Sequence, residues 1–369
     1  MIFISNTNIS KAKGGWDGLG AKFFQLLQLQ YTEIKLVDNL SPKTNLFQKY
    51  LSVLLRKYIK VPGNFYFFSN HRLRRIASEI TNLISNKNES LFFHGSTPWC
   101  SYKPNGEYYI LVDCCFSTYL QIYLDRNEFR SQDINRIISA EGEFLNKAKA
   151  VFFTNYFALE ATKFDYSLSG DNFTMIGQGP SIELPQNKKS NTTIKKQFLF
   201  IATDFIGKGG QLIFDAFLTV LKDYPDFKLS IIGQEPPQEI ISHPSVDFYG
   251  YVSKSEPDGL NKLILLYQES YAILLLSKKD ILPLVIIEAG LAGCPAIASN
   301  FAGIPELIEN DKTGFCIEPN YRELVNAMIK LIQMPTNSYF SMRELVQQFM
   351  LKNHNWNAIQ ENTYKIVND

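Results

Sequence analysis

The chain has 369 residues, which is more than one hydrophobic core commonly supports, and this length predicts two domains. Apolar residues make up 45% of the sequence and charged residues 20%, proportions that exclude disordered, collagen-like and coiled-coil proteins. The formal net charge of +1 provides no overall field that would attract nucleic acid, so no nucleic-acid partner is expected.

Strand-like and helical segments alternate along nearly the whole chain. In the first half, a helix is predicted at residues 21–29, and strands at 2–5, 33–37, 91–93, 109–112, 150–154 and 173–176. A polar segment at residues 185–193 has the composition of a linker. In the second half, strands are predicted at 198–202, 228–232, 246–249, 271–276 and 296–299, with helices at 210–221, 260–269 and 285–292. This pattern predicts an α/β fold of two doubly wound domains, whose ligands bind at the carboxyl ends of the strands.

A glycine-rich segment, KGGWDGLG, follows the first predicted strand at residues 13–20. Glycines let the backbone approach a ligand closely, and the N-terminus of a following helix favours an anion. The segment lacks a clean G-x-G-x-x-G, and Asp38 is a poor candidate for the acidic residue that a nicotinamide cofactor requires. A plain turn therefore remains an alternative to a ligand-binding loop.

Charge is concentrated near the N-terminus, where residues 1–90 carry a net charge of +8 and the remaining residues −7. Within this part, apolar side chains recur at helical spacing with basic residues mostly between them, at Phe47, Tyr50, Leu51, Leu54, Leu55 and Tyr58. Such a basic amphipathic helix near residues 47–60 can lie on an anionic membrane surface. Two alternatives stay open: an apolar stripe that faces the core, and a basic patch for an anionic acceptor.

A lysine marks the turn between the first strand and the first helix of the second half. The segment FIGKGG places Lys208 there, immediately before two glycines. A lysine at this position can meet a diphosphate as a point charge, and the dipole of the following helix assists it. A surface lysine in a glycine turn fits the pattern equally well.

Two acidic residues eight positions apart follow the predicted strand at 271–276. Asp280 lies in a loop, whereas Glu288 lies inside an apolar helical segment. A lone carboxylate in apolar surroundings requires a hydrogen-bonding partner. The hydroxyl groups of a ribose are one candidate, and a nearby backbone group or lysine is the alternative.

This D-x7-E pattern resembles the E-x7-E motif of retaining glycosyltransferases with the GT-B fold, the large group 1 family that includes bacterial lipopolysaccharide and mannosyl transferases. Other segments are similar to that family in the same order: Gly14-Gly15, Lys208-Gly209-Gly210, LSIIG at 229–233, VDFYGYV at 246–252, and AGIPE at 302–306 with Thr313-Gly314. The resemblance is dense over residues 198–320 and thin in the first half. It implies two Rossmann-like domains that face a central cleft. Residues 1–185 would form the acceptor side and 186–352 the nucleotide-sugar side, and a helix in 353–369 would cross back to the first domain.

The same resemblance implies roles for individual residues. Glu288 would hold the nucleotide ribose, Lys208 the donor diphosphate and Asp280 the donor sugar. The backbone at Tyr251 and Val252 would read the base. The full set of expected donor-binding residues is Gly14, Gly15, Lys208, Tyr251, Val252, Leu282, Leu284, Val285 and Glu288. His94 and Asp113 are the acceptor-side candidates, and the expected catalytic residues are Asp113, Lys208 and Asp280.

The activity implied is that of a retaining, metal-independent glycosyltransferase. It would move a sugar from a nucleotide-diphosphate donor to a glycan or lipid-linked acceptor and would need no cofactor. Five cysteines without a C-x-x-C pair favour the reducing cytoplasm, with a peripheral position on the inner face of the membrane as a further expectation. Asp280 replaces the usual glutamate, and the arginine that commonly accompanies the diphosphate lysine is not evident, since Gly207 stands immediately before Lys208. A non-catalytic GT-B partner protein that binds sugar nucleotide or glycan, and a GT-B sugar-nucleotide epimerase, therefore remain alternatives.

Overall fold

The structure, a computed structural model, describes residues 1–11, 15–31, 33–84, 89–182 and 193–368. The chain forms two compact units, Met1–Gly177 together with Gln360–Asp369, and Gln178–Ile359. The boundary predicted between residues 185 and 186 lies outside the described residues, as does most of the predicted linker. Each unit contains a six-stranded parallel sheet, as the alternation of strands and helices predicts.

The first unit orders its parallel strands β2-β1-β3-β4-β5-β6. These strands are β1 (Ile2–Ser5), β2 (Lys35–Val37), β3 (Leu91–His94), β4 (Tyr108–Val112), β5 (Ala150–Phe153) and β6 (Phe173–Met175). The helices are α1 (Gly15–Gln30), α2 (Leu46–Lys57), α3 (Asn70–Leu83), α4 (Phe116–Tyr123), α5 (Ser131–Asn146) and α6 (Tyr156–Asp165). The direction of strand addition reverses between β1 and β3, and such a reversal is where doubly wound sheets bind ligands.

Aromatic side chains form the centre of the first sheet. Phe3, Phe92, Tyr109 and Phe152 stack in a row across β1, β3, β4 and β5, with successive ring centroids 5.4, 6.1 and 6.4 Å apart. The strands are buried on both faces, which explains their nearly continuous apolar sequences. The hydroxyl of Tyr109 donates to the carbonyl of Val367 at 3.2 Å, so the end of the C-terminal helix packs in this unit.

The second unit orders its parallel strands β12-β11-β10-β7-β8-β9, the arrangement of a Rossmann fold. The strands are β7 (Gln197–Ala202), β8 (Lys228–Gly233), β9 (Val246–Phe248), β10 (Ala272–Leu275), β11 (Ala296–Ser299) and β12 (Gly314–Ile317). The helices are α7 (Gly210–Asp223), α8 (Gln238–Ile241), α9 (Pro257–Glu269), α10 (Leu284–Leu291), α11 (Tyr321–Ile332) and α12 (Thr336–Asn353). The last helix, α13 (Trp356–Asn368), begins in the second unit and belongs to the first from Gln360 onward. The strand order reverses between β7 and β10, and Lys208 and Asp280 lie in the loops that follow these two strands.

The predicted elements correspond closely to the observed ones, and α1 is the main exception. The sequence predicts a helix at residues 21–29, whereas α1 begins six residues earlier, at Gly15. Its first turn therefore includes the later glycines of the glycine-rich segment, because glycine weakens a helix without forbidding it. Within the part of the chain that the structure describes, no helix combines the length and the apolarity needed to span a bilayer.

Candidate functional site

The turn between β7 and α7 brings Lys208 to the point where the second sheet changes direction. Gly209 adopts a left-handed conformation with φ of +84°, and a Cβ atom there would lie 2.7 Å from Cβ of Leu276 and 3.0 Å from its carbonyl oxygen. The turn is also bonded to the end of β10, because the N–H of Leu276 donates to the carbonyl of Lys208 at 3.2 Å. Glycine is required here by both conformation and space, and it holds Lys208 beside the loop after β10.

Lys208 and Asp280 form an ion pair across this point. The Lys208 ammonium donates to Oδ1 of Asp280, and the two side chains are 21% and 19% exposed. The hydroxyl of Ser277 accepts the backbone N–H of Asp280 at 3.1 Å and so shapes the loop that presents the carboxylate. The second oxygen of Asp280, Oδ2, is buried and finds no hydrogen-bond partner among the described residues. A buried carboxylate oxygen left unpaired is a ready acceptor for a ligand hydroxyl.

Glu288 lies two turns further on, in α10, and its side chain is fully buried. Its Oε1 accepts the hydroxyl of Ser181 at 2.5 Å and the ammonium of Lys254 at 2.7 Å. Its Oε2 accepts the same ammonium at 2.7 Å and the hydroxyl of Tyr267 at 2.8 Å. The structure thus satisfies Glu288 through a lysine and two hydroxyl groups, of which the sequence anticipated only the lysine as an alternative.

Burial and the nearby charge of Glu288 raise the pKa of Tyr267 well above its ordinary value. The hydroxyl therefore stays protonated and donates a hydrogen bond to Glu288. Lys254, Tyr267 and Ser181 are contacts of the candidate site that sequence reasoning missed. Lys254 follows the segment that resembles the family's V-x-F-x-G-x-V, but nothing in its own neighbours indicates a buried acidic partner. Only the fold brings these three side chains to the carboxylate.

The other predicted donor residues of the second unit lie near the same edge of its sheet. The carbonyl of Gly250 accepts a hydrogen bond from the N–H of Gly233 at the end of β8. This bond places Tyr251 and Val252, the next two residues, beside the carboxyl end of β8. The side chain of Tyr251 is exposed, and those of Leu282, Leu284 and Val285 are partly buried around the N-terminus of α10. The structure therefore gathers this group close to the carboxyl ends of the second unit's strands.

In the first unit, the strand reversal between β1 and β3 is occupied by an aromatic pair. Gly14 lies outside the described residues, and Gly15 begins α1 with φ of +62°. Trp16 stacks on His94 with ring centroids 4.0 Å apart and planes inclined by 15°. His94 is fully buried, and its Nδ1 lies 3.1 Å from the hydroxyl of Ser5. Burial lowers the pKa of His94 to about 3, so the ring is neutral, and the partly exposed Trp16 covers it.

Asp113, the other acceptor-side candidate, follows β4 and is partly buried. Its Oδ1 accepts the backbone N–H of Cys114 at 2.7 Å. Burial raises the pKa of Asp113 to about 6, even though hydrogen bonds from the neighbouring backbone oppose the shift. A carboxyl group with such a pKa can hold or release a proton near neutral pH, which is typical of functional sites.

Glu141 of α5 connects the loops that follow β3 and β4, and no local sequence pattern indicates this role. The fully buried carboxylate accepts the hydroxyls of Ser96 and Thr97 at 2.6 Å each, and the N–H of Phe116 at 3.0 Å. The hydroxyl of Tyr166 donates to it as well. Burial raises the pKa of Glu141. Because Ser96 and Thr97 follow β3 and Phe116 follows β4, this carboxylate fixes the spacing of both loops.

The described ranges contain no group of three or more His, Cys, Asp or Glu side chains arranged to hold a metal ion. Independence from metals therefore stays a prediction.

Comparison with known proteins shows what the second unit is similar to. Residues 182–349 match the family model "Glycosyl transferases group 1". This segment, which is less than half of the chain, is similar to a group 1 glycosyltransferase domain. An uncharacterised glycosyltransferase of Haemophilus influenzae is 27% identical over 203 residues, which are 54% of this chain and 57% of the relative. An uncharacterised 41.2 kDa protein in the cps region of Klebsiella pneumoniae is 28% identical over 190 residues, 49% of this chain and 50% of the relative. The chain thus spans about half the length of the curated relatives it matches.

Solved structures share the fold of this chain. Anabaena HepE, in complex with UDP and glucose, has a TM-score of 0.66 at 15% identity and covers 100% of this chain and 99% of its own. WaaG, a glycosyltransferase involved in lipopolysaccharide biosynthesis, has a TM-score of 0.68 at 12% identity, with 99% of both chains covered. These similarities confirm the predicted fold class, a GT-B fold with two Rossmann-like domains.

Proposed function

We propose that the protein is a retaining, metal-independent glycosyltransferase that moves a sugar from a nucleotide-diphosphate donor to a glycan or lipid-linked acceptor. The observation that carries the proposal is the ion pair of Lys208 and Asp280 at the strand reversal of a Rossmann-type unit. One buried oxygen of this carboxylate has no hydrogen-bond partner within the part of the chain that the structure describes. The group 1 domain supports the reaction class. The HepE complex with UDP and glucose supports a nucleotide-sugar donor, and WaaG and the relative in the cps region support a role in surface-polysaccharide synthesis.

In the proposed reaction, the bond between the anomeric carbon and the donor phosphate oxygen breaks while an acceptor hydroxyl oxygen bonds to that carbon from the same face. The hydroxyl proton passes to the departing phosphate oxygen, and the products are a glycoside and a nucleoside diphosphate. Negative charge grows on the diphosphate as the bond breaks. The ammonium of Lys208 stabilises this charge, and Asp280 accepts a hydroxyl of the donor sugar.

The other donor contacts follow from the same edge of the sheet. Glu288 accepts the ribose hydroxyls, and the backbone at Tyr251 and Val252 contacts the base. The N-terminus of α10, with the backbone at Leu282, Leu284 and Val285, faces the sugar or phosphate, where helix N–H groups favour negative charge. Gly15 remains a donor-binding candidate in the first unit.

On the acceptor side, Asp113 is the stronger of the two candidates. Its pKa of about 6 lets it accept a hydrogen bond from the attacking hydroxyl at neutral pH. His94 is neutral and covered by Trp16, so it does not contact the acceptor directly. Its proposed role is to hold the indole ring of Trp16 in position.

A donor screen tests the proposal. UDP-, GDP- and ADP-sugars are incubated with the purified protein and with lipid-linked or oligosaccharide acceptors, and release of nucleoside diphosphate is measured with and without EDTA. We expect acceptor-dependent release that survives EDTA, an unchanged anomeric configuration by NMR, and at least tenfold lower turnover in both Lys208→Ala and Glu288→Ala, on the scale of a lost charge-stabilising contact. Near-wild-type rates in both variants refute the proposal.

The same screen separates the alternatives. Calorimetric binding of a nucleotide sugar without any release identifies a non-catalytic partner protein. Conversion of the donor to an isomer without an acceptor identifies an epimerase.

We further propose that the surface around α2 contacts an anionic membrane. Most of its apolar stripe is exposed, with Phe47 at 75% and Tyr50 at 66% exposure, so these two rings do not face the core. Leu54 and Leu55 of the same stripe are partly buried. Residues 39–78 contain eight lysines and arginines and no acidic residue. Exposed rings among basic side chains match the chemistry of a surface rich in anionic lipids, and such binding would keep the protein at the inner face of the membrane.

Vesicle flotation tests the membrane proposal. We expect binding to vesicles that contain phosphatidylglycerol, weaker binding as salt increases, and loss of binding in the double variant Phe47→Ser/Tyr50→Ser. Phe164→Ser removes another exposed ring, on α6, and serves as the matched control. Equal binding to neutral phosphatidylcholine vesicles, or none at all, contradicts the proposal.

A further inference from the structure

Glu288 has no free hydrogen-bonding position for a ribose. A carboxylate offers about four lone-pair positions, two on each oxygen. Ser181 and Lys254 occupy those of Oε1, and Lys254 and Tyr267 occupy those of Oε2. If Glu288 accepts the ribose of the donor, as the proposed function states, at least one of these partners has to leave.

The partners differ in how easily they can move. Tyr267 is fully buried in α9, and its hydroxyl is held as a donor. Lys254 lies in the loop between β9 and α9, and its side chain is 26% exposed, which makes it the charged partner with access to solvent. Its three ammonium protons point to both oxygens of Glu288 and to the hydroxyl of Ser181, 3.0 Å away. A single lysine movement therefore opens one position on each carboxylate oxygen.

We propose that Lys254 is a displaceable counter-ion that occupies the ribose-binding positions of Glu288 and is released when the nucleotide binds. The inference rests on the proposed role of Glu288 and adds a specificity-determining residue to it. Ribose hydroxyls and the ammonium donate to the same oxygens, so the two compete. A nucleotide that lacks a ribose hydroxyl cannot replace both bonds that the lysine gives up, and the lysine therefore sets how the site discriminates among nucleotides.

Substitution of Lys254 separates competition from direct binding. Lys254→Met keeps the length of the side chain but removes the competing donor, so the ribose meets two open positions. We expect tighter binding of UDP and a rise of at least about fivefold in the preference for UDP over 2′-deoxy-UDP, because a hydrogen bond to a charged acceptor changes affinity about tenfold or more. Lys254→Arg has the opposite effect, because a guanidinium holds a carboxylate with two parallel bonds.

The experiment is calorimetry on the full chain. UDP, GDP and ADP are screened first, and the tightest is compared with its 2′-deoxy form in wild type, Lys254→Met, Lys254→Arg and Glu288→Ala. Lys222→Met removes an exposed lysine from α7 in the same unit and is the matched control. Thermal melting with and without nucleotide is a second readout. Because Lys254→Met leaves Glu288 buried without its cation, we expect a lower melting temperature that nucleotide raises more than in wild type.

The outcomes distinguish the two proposals. If Glu288→Ala shows the same preference for the selected nucleotide over its 2′-deoxy form as wild type, Glu288 does not hold the ribose and the proposed role fails. If that preference depends on Glu288 but Lys254→Met weakens both nucleotides equally, Lys254 is a direct ligand and the competition is refuted. If Lys254→Met does not fold, weaker binding in Lys254→Arg supports the competition, and unchanged binding overturns it.

Discussion

Replacement of Lys208 by methionine removes the charge that the proposed mechanism places on the diphosphate while it keeps the length of the side chain. The turn should survive, because its conformation depends on Gly209 and on the bond from Leu276 to the carbonyl of residue 208. The two side chains of the ion pair are only 21% and 19% exposed, so loss of the cation leaves the Asp280 carboxylate mostly buried without its partner. We therefore expect a lower melting temperature with the fold retained, and activity is compared at a temperature where both proteins are folded.

The structure predicts that the loss appears mainly in kcat. When the donor binds, Lys208 exchanges one anionic partner, Asp280, for another, the diphosphate, so the net gain in ground-state binding is small. The additional negative charge that builds on the diphosphate during bond breaking exists only in the transition state, so the exchange of partners in the ground state does not offset its interaction with Lys208. Loss of one preorganised group that stabilises a developing oxyanion lowers kcat about 10²–10³-fold. We expect a fall of this size in kcat and a change of less than about tenfold in KM for the donor. An interaction made only in the transition state changes kcat, whereas one made equally in the ground state changes KM.

Steady-state release of nucleoside diphosphate, measured over a range of donor concentrations, separates kcat from KM. Lys208→Arg keeps the positive charge and should retain more activity than Lys208→Met. Asp280→Asn keeps Lys208 but removes its anionic partner, so donor binding should tighten even if sugar positioning suffers. A kcat for Lys208→Met within threefold of wild type, or a loss confined to KM, would show that Lys208 does not stabilise the transition state.

Three further predictions concern the framework of the site. Glu141→Ala leaves the hydroxyls of two loops and a backbone N–H without their shared acceptor, and we expect the first unit to lose about 3–5 kcal/mol in urea unfolding. Gly209→Ala forces a Cβ to within 2.7 Å of Leu276, and we expect kcat/KM to fall at least about tenfold while circular dichroism stays unchanged. The folded-state pKa of Asp113 is raised to about 6 from 3.8, so its contribution makes the free energy of unfolding fall as pH rises between those values. Asp113→Asn should remove that slope.

Each of these predictions has a matched comparison. Glu141→Gln keeps one acceptor oxygen and should be milder than Glu141→Ala; equal, small losses would show that the carboxylate does not connect the loops. Gly18→Ala places a Cβ where nothing lies within 4 Å and should be neutral, and wild-type activity in Gly209→Ala would contradict the assignment of the turn. Parallel unfolding curves of wild type and Asp113→Asn from pH 4 to pH 7 would contradict the raised pKa of Asp113.

The sequence by itself determined the features that depend on short segments of chain. Alternating apolar runs and helical segments specified two parallel α/β units, because both faces of such strands are buried. Glycines at the turn after β7 specified the position of Lys208, and the eight-residue spacing specified that Asp280 precedes a helix bearing Glu288. The basic amphipathic helix near residue 50 was also predicted from the sequence. The exposure of its apolar stripe was not, since an amphipathic pattern does not say whether the apolar face is covered.

Only the tertiary structure decided what surrounds each of these groups. The partners of Glu288 come from positions 107, 34 and 21 residues away, at Ser181, Lys254 and Tyr267. Glu141 likewise reaches Ser96 from 45 residues away. Local patterns carry no information about such contacts, because they arise from the order in which strands add to a sheet. The same order buries His94 beneath Trp16 and brings Lys208 to Asp280, since the carboxyl ends of β7 and β10 become neighbours only when the sheet forms.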